Sequence, residues 1–371
     1  MALPTTATIL IVGAGPVGLT AAIELARRGY RPRIVAANDG PVHQSRALAV
    51  NQRTLQILEP SGASARILAA GQAIGGLHLH TADRDLVDMP LPDLGRLPFM
   101  YILAQSEIEA ILVDVLRGYG VEVGWRTELT RIADPEGRPT VSLTGRAGEE
   151  TLAVDTVVAA DGAHSAIRHQ LGLNFAGSAY ETEWGLADVR VTSSLPLTDA
   201  HAFDLAPVLV VLIPIRGNLV RLICDHVDVL QHVPPQFKVE KVEWVSPFRI
   251  SHRQVDSYQK GNVFLAGDAA HIHSPIGARG MNLGIEDAAW LAWMIAEGTT
   301  AGYTEARKPA GRRVIRLVDP ATRLMSSDGF LPKLIRRRIL PTILGNAAIR
   351  TRLMRNIVAG TQPPPWLADR E

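Results

Sequence analysis

The chain begins with a short uninterrupted apolar run, Thr8-Ile-Leu-Ile-Val12, the pattern of a parallel strand buried on both faces. The period then changes: Leu19–Arg28 is amphipathic at helical spacing and stops at Gly29. Arg33-Ile-Val-Ala36 returns to a strand pattern, so a strand–helix–strand unit is predicted. Helices are predicted near Arg53–Leu58 and over Ser106–Leu116. Loops and short strands are predicted over Leu77–Tyr101, where Pro, Gly and Asp accumulate. Val121–Trp125, Pro139–Leu143 and Leu152–Ala160 read as strands. Trp184–Thr192, Pro207–Ile213 and Asn218–Cys224 read as antiparallel strands, the last two joined through Pro214-Ile-Arg-Gly217. Val263-Phe-Leu-Ala266 is one more buried strand, and Asn282 to about residue 360 is mostly helical before Pro363-Pro-Pro-Trp366. No internal repeat or long linker interrupts this order.

Composition narrows the class. With 371 residues, 47% hydrophobic and 20% charged, the chain reads as a soluble globular protein of two domains or one large interleaved one. A net charge of +1 argues against nucleic acid as a partner. Basic charge is almost wholly Arg up to Lys238, which reads as compositional bias. The single cysteine, Cys224, excludes an intramolecular disulfide and a cysteine metal cluster, and its apolar setting predicts a buried inert thiol. No basic leader precedes Thr8, and no run reaches the ~20 apolar residues of a membrane span, so a cytoplasmic location is expected.

Three blocks carry chemistry. Gly13, Gly15 and Gly18 form GxGxxG between a strand and a helix. The first glycine permits the tight turn, the second the approach of a pyrophosphate, the third the packing of helix on strand. The helix N-terminus offers free amides to the phosphates. A plain strand-to-helix turn is the alternative. The second block, Val157-Val-Ala-Ala-Asp161-Gly162-Ala-His-Ser165-Ala-Ile-Arg168, ends a strand in Asp-Gly and points a carboxylate out of the sheet end, where ligands bind. A solvated turn aspartate is the alternative there. The third block runs from Val263 through Gly267-Asp268, His271 and Pro275 to Gly277-Ala-Arg-Gly280-Met281-Asn282. Asp268 can accept from ribitol-type hydroxyls, and the glycine turn opens a long helix whose amides can face an electron-rich ring edge or an anion.

In this order the blocks resemble the para-hydroxybenzoate hydroxylase family of FAD-dependent monooxygenases, from about Thr8 to Arg312. Ser45-Arg46-Ala47, with Arg53-Thr-Leu55 after it, is similar to the segment whose Arg lies near the flavin. Ala104-Gln105-Ser106 is similar to the start of a helix that contacts FAD. Tyr303, Arg307, Pro309 and Arg312 echo the family's next helix. The resemblance implies an α/β fold: a Rossmann-like FAD-binding domain (1–75, 102–175 and 261–310), interleaved with a β-rich substrate domain (76–101 and 176–260), and C-terminal helices (311–371). It implies FAD held by Gly13, Gly15, Gly18, Arg46, Gln105, Asp161, Asp268, Pro275, Gly277, Arg279, Gly280, Met281 and Asn282, with Arg168 shaping the Asp-Gly turn. NADPH or NADH is then a transient electron donor, consistent with a single GxGxxG, and O2 the oxidant. A small aromatic or polycyclic substrate is hydroxylated through a flavin hydroperoxide, with no side-chain nucleophile. Substrate contacts are expected from Leu186–Val191 and Val208–Ile213, with Arg216 and His226 as polar candidates. A non-oxygenating reductase or dehydrogenase of this fold, and a non-catalytic relative with weakened FAD binding, are the alternatives.

Three departures accompany the match. Ala36 stands where an acidic residue normally binds the adenosine ribose; either Asn38 or Asp39 substitutes for it or the contact is missing, and looser FAD binding is the expectation. Ala278 and Arg279 replace the more usual Gly and Gln, and Arg279 is expected beside the flavin. The stretch between Cys224 and Glu243 is short, which leaves the pocket roof open to question. The pairs His78/His80 and His271/His273 lack a third ligand, so no metal is expected. Trp290 and Trp293 read as packed helix rather than a halogenase motif. Lys333, Arg336, Arg337, Arg338, Arg350, Arg352 and Arg355, with Leu331, Leu334, Ile335, Ile339 and Leu340 between them, make the C-terminus basic. A solvated helix face is the expected reading, and peripheral membrane contact the less favoured one.

Overall fold

The computed structural model describes residues 8–42, 47–92, 95–205, 207–325, 327, 329–359 and 362–368, with side chains 354–359 left aside. The opening unit is β1 (Ile9–Val12), α1 (Pro16–Arg27) and β2 (Arg33–Ala36). Every β1 side chain is buried, as expected of a central parallel strand. The sheet around it has the spatial order 259–260, Val263–Leu265, Thr156–Ala159, β1, β2, Val123–Trp125, all parallel except the two-residue edge strand.

A second, eight-stranded sheet is built from distant segments. Its order is His271–Ile272, Phe237–Val255, Phe175–Ser193, Leu219–Cys224, Leu209–Arg216, Ala200–Asp204, Gly76–Thr81, Asp85–Pro90. All neighbours are antiparallel except Ala200–Asp204 with Gly76–Thr81. Two 19-residue strands, Phe175–Ser193 and Phe237–Val255, form its spine. One face packs Val189, Leu212, Leu222, Phe203 and Phe237 into a separate core. The opposite face looks toward the parallel sheet. Cys224 is buried, and burial pushes its thiol up to about 12, as an inert core residue requires.

The run Leu152–Ala160 is two strands rather than one. Gly148–Ala153 belongs to a three-stranded antiparallel sheet, and Thr156–Ala159 to the parallel one. The break falls at Asp155, whose carboxylate accepts from the Thr8 amide at 2.7 Å and from Arg138 at 3.0 Å. Apolar periodicity does not show this change of sheet, because apolar residues continue across the break through Leu152, Ala153, Val154 and Val157, although the first strand is mostly exposed and the second fully buried. The remaining chain is helical, led by Gly280–Glu297 and Tyr303–Met325.

Candidate functional site

The three sequence blocks meet because three parallel strands end side by side. Val12 lies opposite Ala159, and Ala159 opposite Leu265, so Gly13, Ala160-Asp161-Gly162 and Ala266-Gly267-Asp268 emerge together at the carboxyl edge. Gly13 has φ +104°, and a Cβ there would sit 2.2 Å from the Ala160 carbonyl oxygen. A Cβ on Gly18 would meet the Gly13 carbonyl at 1.9 Å. Only glycine lets strand, turn and helix approach this closely. The N-terminus of α1 has no side-chain cap, so its first amides remain available to an anion.

These edges line a cavity of about 410 Å³. Gly15, Pro16 and Val17 come from the first block, Ala160 and Gly162 from the second, and Asp268, Ser274, Pro275, Ala278, Gly280 and Met281 from the third. Gln105 lines it from a helix start. The opposite wall is the eight-stranded sheet: Leu186, Ile213, Ile223, Phe248 and Ile250, with Arg221, Arg249 and Ser251 as polar positions. One wall thus carries backbone amides and a carboxylate, and the other is a largely apolar plate.

Asp268 projects into the cavity and makes no hydrogen bond within the protein among the described residues. Its side chain is open to solvent there, but protein surrounds it closely, and that desolvation raises its carboxyl above the ordinary range, with His271 pulling the other way. Glu109, missed by sequence reasoning, is buried one helical turn from Gln105. It accepts from Gln105 Nε2 at 2.8 Å and from the Val42 amide at 2.9 Å, and burial again raises its carboxyl.

Asp161 accepts from the Ile167 amide at 3.2 Å, while its Oδ1 is buried without a partner. Burial raises its carboxyl, and hydrogen bonds from Ser165 and Ile167 offset only part of this. Arg168 donates to the carbonyls of Ala163 and Ala269 at 2.9 and 3.0 Å, tying the Asp-Gly turn to the Gly-Asp turn. Burial thus opposes the Asp161 charge, although the side chain itself does not line the cavity. Asp161→Asn is therefore expected to raise the melting temperature of the ligand-free protein at neutral pH. The gain should vanish as pH falls below the ordinary carboxylate range, where Asp161 is protonated in both folded and unfolded chains. Thermal melts across pH check this; an unchanged or lowered melting temperature at neutral pH contradicts it.

Several sequence candidates sit elsewhere. Asn282 spends its side chain internally: Oδ1 accepts from the Asn51 amide and Thr54 Oγ1, and Nδ2 donates to Ala49 and Ala278 carbonyls. It clamps the glycine turn to the strand Ala49–Asn51. Arg279 does not face the cavity; it is buried against Glu286, 3.4 Å away, in a network with Arg307. Ala278 takes the left-handed φ of +52° that a glycine would adopt. Arg216 reaches outward to Glu107 and the Ala70 carbonyl, and His226 lies on an exposed turn against His232. Neither lines the cavity; Arg221 does, held by a bidentate pair with Asp188 at 2.7 and 2.8 Å. Arg46 lies outside the described residues. Gly277 has φ +77° in the turn before Ala278.

Behind the cavity, Asp287 joins three elements. Its carboxylate accepts from the Gly267 amide at 3.1 Å, His271 Nε2 at 2.6 Å and Arg307 Nε at 2.6 Å, with all three side chains buried. Burial alone would raise this carboxyl; Arg307 and His271 hold it below the ordinary range. At the end of β2, where the resemblance expects a ribose contact, Ala36 is buried in the core, while Asp39 is exposed and paired with Arg126 at 3.2 Å. His78 and His80 bond to aspartates, and among the described residues no three His, Cys, Asp or Glu side chains are grouped to hold a metal.

Known proteins share this chain's sequence pattern and its fold. Residues 6–212 and 226–317 match the family described as FAD binding domain. The chain is 34% identical over 347 residues to 6-methylpretetramide 4-monooxygenase of Streptomyces rimosus, covering 86% of this chain and 62% of that one. It is 32% identical to pentachlorophenol 4-monooxygenase of Sphingobium chlorophenolicum, covering 78% and 58%. The chain thus spans about three fifths of the length of these two relatives. The crystal structure of p-nitrophenol 4-monooxygenase from Pseudomonas putida superposes with TM-score 0.82 at 23% identity, covering 95% of this chain and 97% of that one, a likeness of fold.

Proposed function

The chain belongs to the FAD binding domain family, and from that membership we propose that it is a flavin-dependent monooxygenase. In this reading it uses NADPH or NADH and O2 to hydroxylate an aromatic or polycyclic small molecule. The single observation that carries the reading is the convergence of all three blocks on one cavity whose far wall is an apolar plate. The residues fit the cofactor: an uncapped helix N-terminus, two glycines whose Cβ positions are filled by backbone, and a carboxylate with no partner among the described residues.

When bound, FAD supplies the redox and oxygen chemistry, which no side chain of this cavity provides. Gly13, Gly15, Gly18 and the α1 amides would hold its pyrophosphate. Asp268 would accept from ribityl hydroxyls, and Gln105 would contact the same region. Pro275 and the turn to Met281 would lie along the ring edge. Arg46 keeps its expected place near the flavin from sequence alone. The sheet wall of Leu186, Ile213, Ile223, Phe248 and Ile250 would exclude water and stack a flat substrate. Arg221, fixed by Asp188, would orient an oxygen of that substrate. The division into an FAD-binding part (1–75, 102–175, 261–310) and a substrate part (76–101, 176–260) follows from the same proposal.

The test is a panel of phenols, quinolones and polycyclic aromatics scored for NAD(P)H oxidation under air, with product identified for each. Substrate-stimulated oxidation that yields a hydroxylated product is expected. Turnover that proceeds equally without oxygen would instead identify a reductase or dehydrogenase.

A further inference from the structure

We propose that the outward face of residues 330–349 seats this protein on an anionic membrane surface. The helices concerned are Phe330–Leu334, Leu340–Gly345 and the start of Ala347–Ala359, with a π-helical turn over Ile335–Ile339 between the first two. An ordinary amphipathic helix turns its apolar side inward. This one carries ion pairs on its inner side. Arg336 and Arg337 both reach the buried Asp204, with Nε–Oδ2 distances of 3.3 and 3.1 Å. Arg336 also donates to the carbonyls of Leu324, Met325 and Ser327. Leu344 plugs the same seat, against a cluster that includes Val87 and Met89 of the sheet-edge strand.

The outer side is left apolar. Phe330 is 83% exposed and Leu331 61%, and Leu334, Ile339, Ile343 and Ile349 follow at 39–46%. These are six of the eleven large apolar side chains exposed among the described residues, gathered in twenty positions. Fixed this way round, the helices hold a solvent-facing apolar strip that a merely solvated helix face would not have.

Charge selects the occupant. From Gly329 to Leu367 the sequence carries seven Lys and Arg and no Asp or Glu; Arg336 and Arg337 are spent on Asp204, which leaves five of the seven outside that inner pairing. Arg338 and Arg352 are exposed in the described structure. An apolar strip flanked by unbalanced positive charge matches the boundary between acyl chains and anionic headgroups. Among the described residues no helix is long and apolar enough to cross a membrane, so the contact is interfacial.

Sedimentation of the full chain with vesicles of phosphatidylcholine, or of phosphatidylcholine mixed with phosphatidylglycerol, tests this. Partitioning onto the mixed vesicles at low salt, released at high salt, is expected. A Leu331→Glu/Ile339→Glu double variant should partition at least ~10-fold less, because it places charge on the inserted strip. Arg338→Gln and Arg352→Gln should each cost about fivefold. Unchanged circular dichroism and melting temperature will show that the surface variants remain folded. No partitioning, or equal partitioning onto neutral vesicles, overturns the proposal. So does a two-copy mass by light scattering that falls to one copy in the double variant, which would make the face a self-interface.

Discussion

Asp268→Ala is expected to weaken FAD binding by about 10- to 150-fold while leaving the ligand-free fold at least as stable. The range follows from losing a charge-assisted hydrogen bond, about 1.5–3 kcal/mol. Asp268 stands at the strand end, projects into the cavity and makes no hydrogen bond among the described residues, so its removal breaks no bond of the described fold. Its raised carboxyl pKa carries the same message: the folded state opposes this charge rather than profiting from it. A ligand hydroxyl donated to it would reverse that balance. Flavin fluorescence titration gives the affinity and thermal melts the stability; equal affinity in wild type and variant would remove Asp268 from the cofactor site.

Asp287→Ala is expected to do the opposite: to cost the fold about 3–5 kcal/mol before any ligand is considered. The carboxylate is fully enclosed, and deleting it leaves Arg307 and His271 buried without the partner that offsets their burial. Glu286, 3.6 Å from Arg307, retains part of that compensation, which places the effect toward the lower end. The Gly267 amide also loses its acceptor, so the turn that presents Asp268 loosens. Urea denaturation checks the magnitude. A loss under about 1 kcal/mol would mean that the network relaxes around the gap.

The parts of this architecture set by local rules were legible in the sequence. A buried strand followed by glycines, and a strand ending in Gly-Asp or Asp-Gly, fix their own geometry over a few residues, and the cavity forms where three such ends adjoin. Side chains whose direction depends on long-range pairing were not legible. Arg216 sits at the end of its strand, past a register shift, where Glu107 and the Ala70 carbonyl take up its guanidinium, whereas Arg221 pairs opposite Ile213 and Asp188 in the stretch that lines the cavity. Asn282 and Arg279 sit inside a motif tied to a cofactor, yet their partners, Asn51 with Thr54 and Glu286, turn both inward. Glu109 offered a signal that went unused: it lies four residues after Gln105, on the same helix face. At the end of the second strand Ala36 is buried and Asp39 is engaged by Arg126, an arrangement that neighbouring residues alone do not reveal.

The central claim is that the convergent cavity holds FAD. Titration of the purified chain with FAD, followed by flavin fluorescence in wild type and Asp268→Ala, tests it most directly. Saturation at one FAD per chain, with at least ~10-fold weaker binding in the variant, is the predicted result. A wild-type chain that remains colourless and takes up no FAD would contradict it.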